Sequence, residues 1–172
     1  MSMTMVEIEK QLKALRLSGM VATLESRALQ ASQCNAVLVE ALSWLLQDEM
    51  DHRSSGLRQR RFKASGLTEL KTLTEFDWSF NPKLPKREIY ELVTAKFIQN
   101  GEHALLIGAP GTGKSHIAKT IAHASIQLFQ KTVYREAHVF FEDMFEAEQT
   151  GKTKKVLIFI SAADPLIIYD LF

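Results

Sequence analysis

Gly108 to Ser115 read GAPGTGKS, which fills every fixed position of G-x-x-x-x-G-K-[ST]. Each residue type in that pattern answers a physical need. Glycines let the backbone take positive φ and approach an anion closely, so the N–H groups from Gly111 to Ser115 can converge on one concavity. If a helix starts there, its unpaired first-turn N–H groups and positive dipole end favour negative charge as well. Lys114 is a mobile cation placed to reach the β- and γ-phosphates of a nucleotide, and the Ser115 hydroxyl is a hard oxygen ligand for Mg²⁺. The candidate nucleotide-binding residues are Gly108, Ala109, Pro110, Gly111, Thr112, Gly113, Lys114, Ser115 and His116, with Ser115 also the candidate metal ligand.

Such a loop does chemistry only between a strand and a helix, and the flanks supply both patterns. His103 to Ile107 (HALLI) is a short apolar run expected to form a buried parallel strand. From Lys114 to Phe129, Ile117, Ile121, Ala124 and Leu128 recur at helical spacing. A glycine-rich turn that binds nothing is the alternative, and the context on both sides argues against it.

The 172 residues, 46% hydrophobic and 24% charged, allow one α/β domain with an appendage. No apolar run is long enough to span a membrane, and the N-terminus has acids and helical periodicity where a signal peptide has an apolar core. A cytoplasmic protein without membrane attachment is expected. The single Cys34 cannot form an internal disulfide, and no Cys/His cluster has zinc spacing. With a formal net charge of +1, any case for nucleic acid rests on local clustering.

Before the loop, Met5, Ile8, Leu12 and Leu15 trace one helix face, and Val21, Leu24, Ala28 and Ala31 trace a second after Gly19. Leu38, Leu42, Leu45 and Glu49 begin a third helix that runs toward Arg61, with Trp44 expected in its core face. Arg53 to Lys63 (RSSGLRQRRFK) holds the local basic cluster: Arg53, Arg58, Arg60, Arg61 and Lys63. These cations cannot all share one helix face. Two readings stay open, a solvated helix end paired with Asp48, Glu49 and Asp51, or contact with nucleic-acid phosphates.

Residues 66–86 read as a linker with two prolines and an Asn-Pro turn signal, in which Phe76, Trp78 and Phe80 alternate and are expected to pin it to the body beyond. The expected division is a helical domain over 1–65, this linker, and a core over 87–172. After the loop helix, Lys131 to Arg135 has strand character, and Phe141, Met144 and Phe145 suggest a helix whose adjacent Glu142 and Asp143 are solvated. Val156 to Ile160 (VLIFI) has strand propensity. Leu166 to Ile168 form a further strand followed by Tyr169 and Asp170, so one acid is available where phosphoryl transfer commonly uses two.

Segments LKALRLSGMVATLE, LTEFDWSFNPKL, NGEHALLIGAPGTGKSHIAKTIAHASI and ADPLIIYDLF resemble, in succession, those of the IstB family, ATP-binding helpers of bacterial transposition related to DnaC-type helicase loaders within the AAA+ ATPases. The resemblance implies a P-loop NTPase, AAA+-like three-layer αβα core preceded by an α-helical N-terminal domain for assembly or DNA contact. It also implies ATP and Mg²⁺ at Gly108 to Ser115, and, as partners, sequence-nonspecific DNA, the transposase of the same element, and further copies of the chain. In the family a helix occupies the place of VLIFI. Its last matching strand ends in two acids, whereas Tyr169 stands here at the metal-shell position and Asp170 aligns with the water-orienting acid. Asp170 is thus the candidate for both catalysis and the Mg²⁺ shell and cannot serve both. Pro165 opens that strand where the family has an apolar residue with a free N–H. Three strands of the family's five are present, so the parallel sheet is expected to be incomplete and the chain to be a truncated copy with impaired hydrolysis. The alternatives are a non-catalytic remnant that acts only as a DNA- or partner-binding helical module, and a DnaC-like helicase loader.

Overall fold

The computed structural model describes residues 3–169, which divide into two compact units, one running up to Leu57 and the other starting at Arg58. The first unit is helical. Helix α1 (Met5–Ala14) starts at a reciprocal cap in which Thr4 and Glu7 satisfy each other's backbone N–H groups. Helix α2 (Ser18–Gln33) has no such side-chain cap of its own. Its free N–H groups at Gly19 and Met20 instead donate to Glu49 Oε2, at 2.7 and 3.2 Å, from α3 (Leu38–Ser65). Glu49 is 5% exposed, and the Arg53 Nε–H completes its shell at 2.6 Å. Burial works to raise the Glu49 carboxyl, but the bonds from Arg53, Met20 and Gly19 outweigh it and hold the group below its ordinary range. Beside it, Arg27 grips Asp48 through two N–H···O bonds of 2.7 and 2.6 Å. The crossing of α2 and α3 leaves no room at Gly19: an added β-carbon would lie 2.7 Å from Glu49 Cα.

In the second unit the C-terminal part of α3 is followed by a connector containing a one-turn helix at Leu73–Glu75, then α4 (Lys86–Val93) and the short α5 (Lys96–Gln99). The glycine-rich segment 108–113 leads into α6 (Lys114–Gln127). After it come strand β1 (Val133–Glu136), α7 (Ala137–Gln149), α8 (Thr153–Ser161) and strand β2 (Leu166–Tyr169). The two strands pair in parallel, with Val133 opposite Leu166 and Glu136 opposite Tyr169, so a crossover through α7 and α8 joins them. Helix α6 is the hub of this unit. Its Ala118, Ala122 and Ile126 pack with Leu67 and Tyr134, and its Ile117 and Ile121 pack with Leu73, Phe76 and Ile89. Leu106 and Ile167 touch both groups and join them into one core.

Two segments depart from local expectation. VLIFI is helical, as the family resemblance implied and propensity did not, because Val156, Phe159 and Ile160 share one helix face toward Phe140 and Ala147 around a cavity of about 350 Å³. Residues 103–107, expected as a buried strand, join no ladder among the described residues. Only Leu106 turns into the core, while Leu105 and Ile107 are 76% and 84% exposed. An apolar run becomes a buried strand only when neighbours cover both faces and pair its edges, and here one face alone is covered. No described helix is long and apolar enough to cross a membrane.

Candidate functional site

Helix α6 begins at Gly113, which sits at φ +91° in the left-handed region and carries no side-chain cap. Glycine reaches that conformation without the strain a β-carbon brings, and the helix's first N–H groups stay available to an anion. The loop before it curls around its own lysine: Lys114 Nζ donates to the carbonyls of Gly108 at 2.7 Å and Ala109 at 2.9 Å. Thr112 Oγ1 donates to Ala109 as well, at 2.9 Å, which ties the turn together. Gly111 is also at positive φ, with open space where a β-carbon would stand. Ser115 is exposed beside the loop. The structure therefore gathers Gly108 to Ser115 around one ammonium and one uncapped helix end, an arrangement suited to a phosphate chain. The ring of His116, the last candidate, turns the other way and donates from Nε2 to the Thr72 carbonyl at 3.0 Å.

That bond belongs to a grip that periodicity did not reveal. His116, Lys119 and His123 line one face of α6 and hold residues 69–72 of the connector. His123 Nδ1 donates to the Lys71 carbonyl at 3.1 Å while its Nε2 meets Gln127 Nε2 at 3.0 Å, and Lys119 pairs with Glu69. Lys119 first, then Lys71, holds the Glu69 carboxyl below its usual range. The signal was present in the sequence as polar residues spaced three and four apart, but nothing there named their partner. Of the connector aromatics, Phe76 is buried and Trp78 half-buried against Tyr90, while Phe80 is 69% exposed and pins nothing.

At the carboxyl ends of the strands, Tyr169 stacks on Tyr134 with ring centroids 4.3 Å apart and donates its hydroxyl to Glu136 Oε1 at 2.8 Å. Asp170, the candidate acid for catalysis and for the Mg²⁺ shell, lies outside the described residues. No group of three or more His, Cys, Asp or Glu among the described residues could hold a metal ion. Glu142 and Asp143 are exposed on α7, and Asp143 stands 4.0 Å from Arg135.

The basic run is divided among several tasks. In the first unit, Arg53 serves the buried Glu49 and also points toward the Arg16 carbonyl at 3.3 Å. In the second, the Arg58 guanidinium lies 4.6 Å from the centre of the Phe129 ring, with its Nε–H toward the Gln127 carbonyl at the end of α6. Arg61 is half-buried with Nη1 lacking a hydrogen-bond partner. Arg60 and Lys63 are exposed, three positions apart on one face of α3.

Among known proteins, the chain is 33% identical over 157 residues to a protein of insertion sequence IS5376 from Geobacillus stearothermophilus, covering 91% of this chain and 62% of that one. It is 26% identical over 167 residues to its counterpart in IS21 of Pseudomonas aeruginosa, covering 97% and 63%. An insertion-sequence protein of Mycobacterium tuberculosis is 33% identical over 117 residues, covering 68% and 47%. The names of all three assign them ATP binding. The chain thus spans between about half and just under two thirds of the length of these curated relatives. The family model for IstB-like ATP binding proteins matches residues 10–171, nearly the whole chain. With its glycine-rich loop, parallel strands and helical first unit, the chain belongs to the IstB-like ATP binding protein family.

Proposed function

We propose that the chain binds ATP with Mg²⁺ through Gly108 to Ser115 and serves transposition of an insertion sequence as an ATP-binding helper. The observation that carries this reading is the position of Lys114 Nζ, held by two loop carbonyls beside the uncapped first turn of α6. A triphosphate entering that cradle meets the ammonium and the first-turn N–H groups together. The exposed Ser115 hydroxyl would supply one protein oxygen to Mg²⁺, whose chemistry is to neutralise charge on the β- and γ-phosphates. Titrating the whole chain with a fluorescent ATP analogue, beside Lys114→Ala, tests the reading, and equal affinities would overturn it.

Hydrolysis is a separate matter. Tyr169 occupies the position at which the family resemblance places the first acid, and its hydroxyl is committed to Glu136. We infer that the chain holds nucleotide and turns it over slowly, so that binding is its principal activity. DNA contact, insensitive to base sequence, is assigned to Arg60 and Lys63, the exposed pair of the basic run. The transposase of the same element and further copies of the chain are the proposed protein partners, in the cytoplasm.

A further inference from the structure

The geometry points to Phe76 as a positioning residue for the phosphate loop: its ring fills the space over Gly113 and fixes the turn from which α6 and Lys114 project. This rests on the nucleotide-binding reading and adds to it a residue from outside the loop. An added β-carbon on Gly113 would lie 2.8 Å from both Cε2 and Cζ of Phe76, so ring and glycine backbone are in direct contact. Phe76 is itself immobilised. It is 9% exposed, meets Trp78 edge-on at 4.8 Å and His116 edge-on at 5.1 Å, and Trp78 stacks on Tyr90 at 5.7 Å. Its backbone follows the turn Leu73–Glu75, which a reciprocal Thr72–Glu75 cap stiffens, and Thr72 receives the His116 bond.

A loop with glycines at 108, 111 and 113 has wide conformational freedom, and ordering it on binding costs affinity. A ring seated on Gly113 removes part of that freedom before ligand arrives. The effect acts on the N–H groups and the ammonium that face phosphate, so it is blind to the base.

The test compares the full chain with Phe76→Ala and Phe76→Tyr, using calorimetric titration with MgATP and, separately, with magnesium tripolyphosphate. Phe76→Ala is expected to weaken both ligands by the same factor, about tenfold, or about 1.4 kcal/mol. Phe76→Tyr keeps the ring and is expected to stay within about threefold of the unmodified chain. Phe76→Leu, which retains a bulky apolar group, stands in if the alanine form does not fold and is expected to fall between the two. Unchanged affinity in Phe76→Ala overturns the inference. So does a loss confined to ATP, which would make the ring a base contact, or a tyrosine form as weak as the alanine form. Absence of ATP binding by the unmodified chain would instead remove the nucleotide reading itself, and this inference with it.

Discussion

The Tyr169 hydroxyl donates to Glu136 Oε1 at 2.8 Å across the register of the parallel pair, which places a phenol and a carboxylate side by side at the strands' carboxyl ends. Replacing Tyr169 with Asp would set two carboxylates opposite one another and remove the stack on Tyr134. Like charges in register and a lost aromatic pair together predict a loss on the order of 1–3 kcal/mol, readable by urea unfolding. The same replacement is expected to bring little ATP turnover. Phosphate release near ~1 per second, in either form, would contradict this, since that is an ordinary enzymatic rate.

Lys114→Ala removes the cation held over the loop carbonyls. Affinity for an ATP analogue is expected to drop by about 2–3 kcal/mol, the range for charge-assisted hydrogen bonds. Because Lys114 also ties Gly108 and Ala109 together, part of the loss reflects a looser empty loop, and hydrogen exchange at residues 108–113 should quicken without nucleotide.

Duplex DNA binding is expected to weaken with salt, and Arg60 and Lys63 account for about two contacts of ~0.9 log unit each per log unit of salt. Changing both to Ala should flatten the slope by that amount. Arg58→Ala should lower thermal stability more than DNA affinity, because its guanidinium is seated on Phe129. An unaltered slope in the Arg60/Lys63 double variant would move the contact elsewhere.

The bidentate bond from Arg27, aided by Thr23 against the cost of burial, depresses the Asp48 carboxyl to about 2. A depressed carboxyl contributes stability in full above its unfolded value near 3.8 and loses it as pH falls through the folded value. Asp48→Asn is therefore expected to cost on the order of 1–2 kcal/mol at pH 7 and only a few tenths of a kcal/mol, roughly, at pH 2. A penalty that stays constant between those pH values would show that the pair acts through packing.

Residue types and spacing alone carried the glycine-rich turn into α6, because positive φ at Gly111 and Gly113 is a local backbone property that glycine permits. The helices α1 to α3 and the strand at Val133 were legible for the same reason: periodicity is a local property. What stayed hidden depends on distant partners. Glu49 sits in an apolar series on α3, and only the approach of α2 turns it into a cap. Arg58 reads as one cation among five until Phe129 arrives beneath it. The stretch 103–107 carried a strand's composition, but pairing is supplied by neighbours and not by composition.

Leu105 and Ile107 both face outward along that stretch, which no described strand pairs. An edge of this kind accepts any strand of compatible length, and mass action then ties the chain's solubility to its own concentration. Dilute preparations should scatter little light and concentrated ones should scatter more over hours. Leu105→Lys, which charges the edge and leaves residues 108–115 unchanged, should slow that growth.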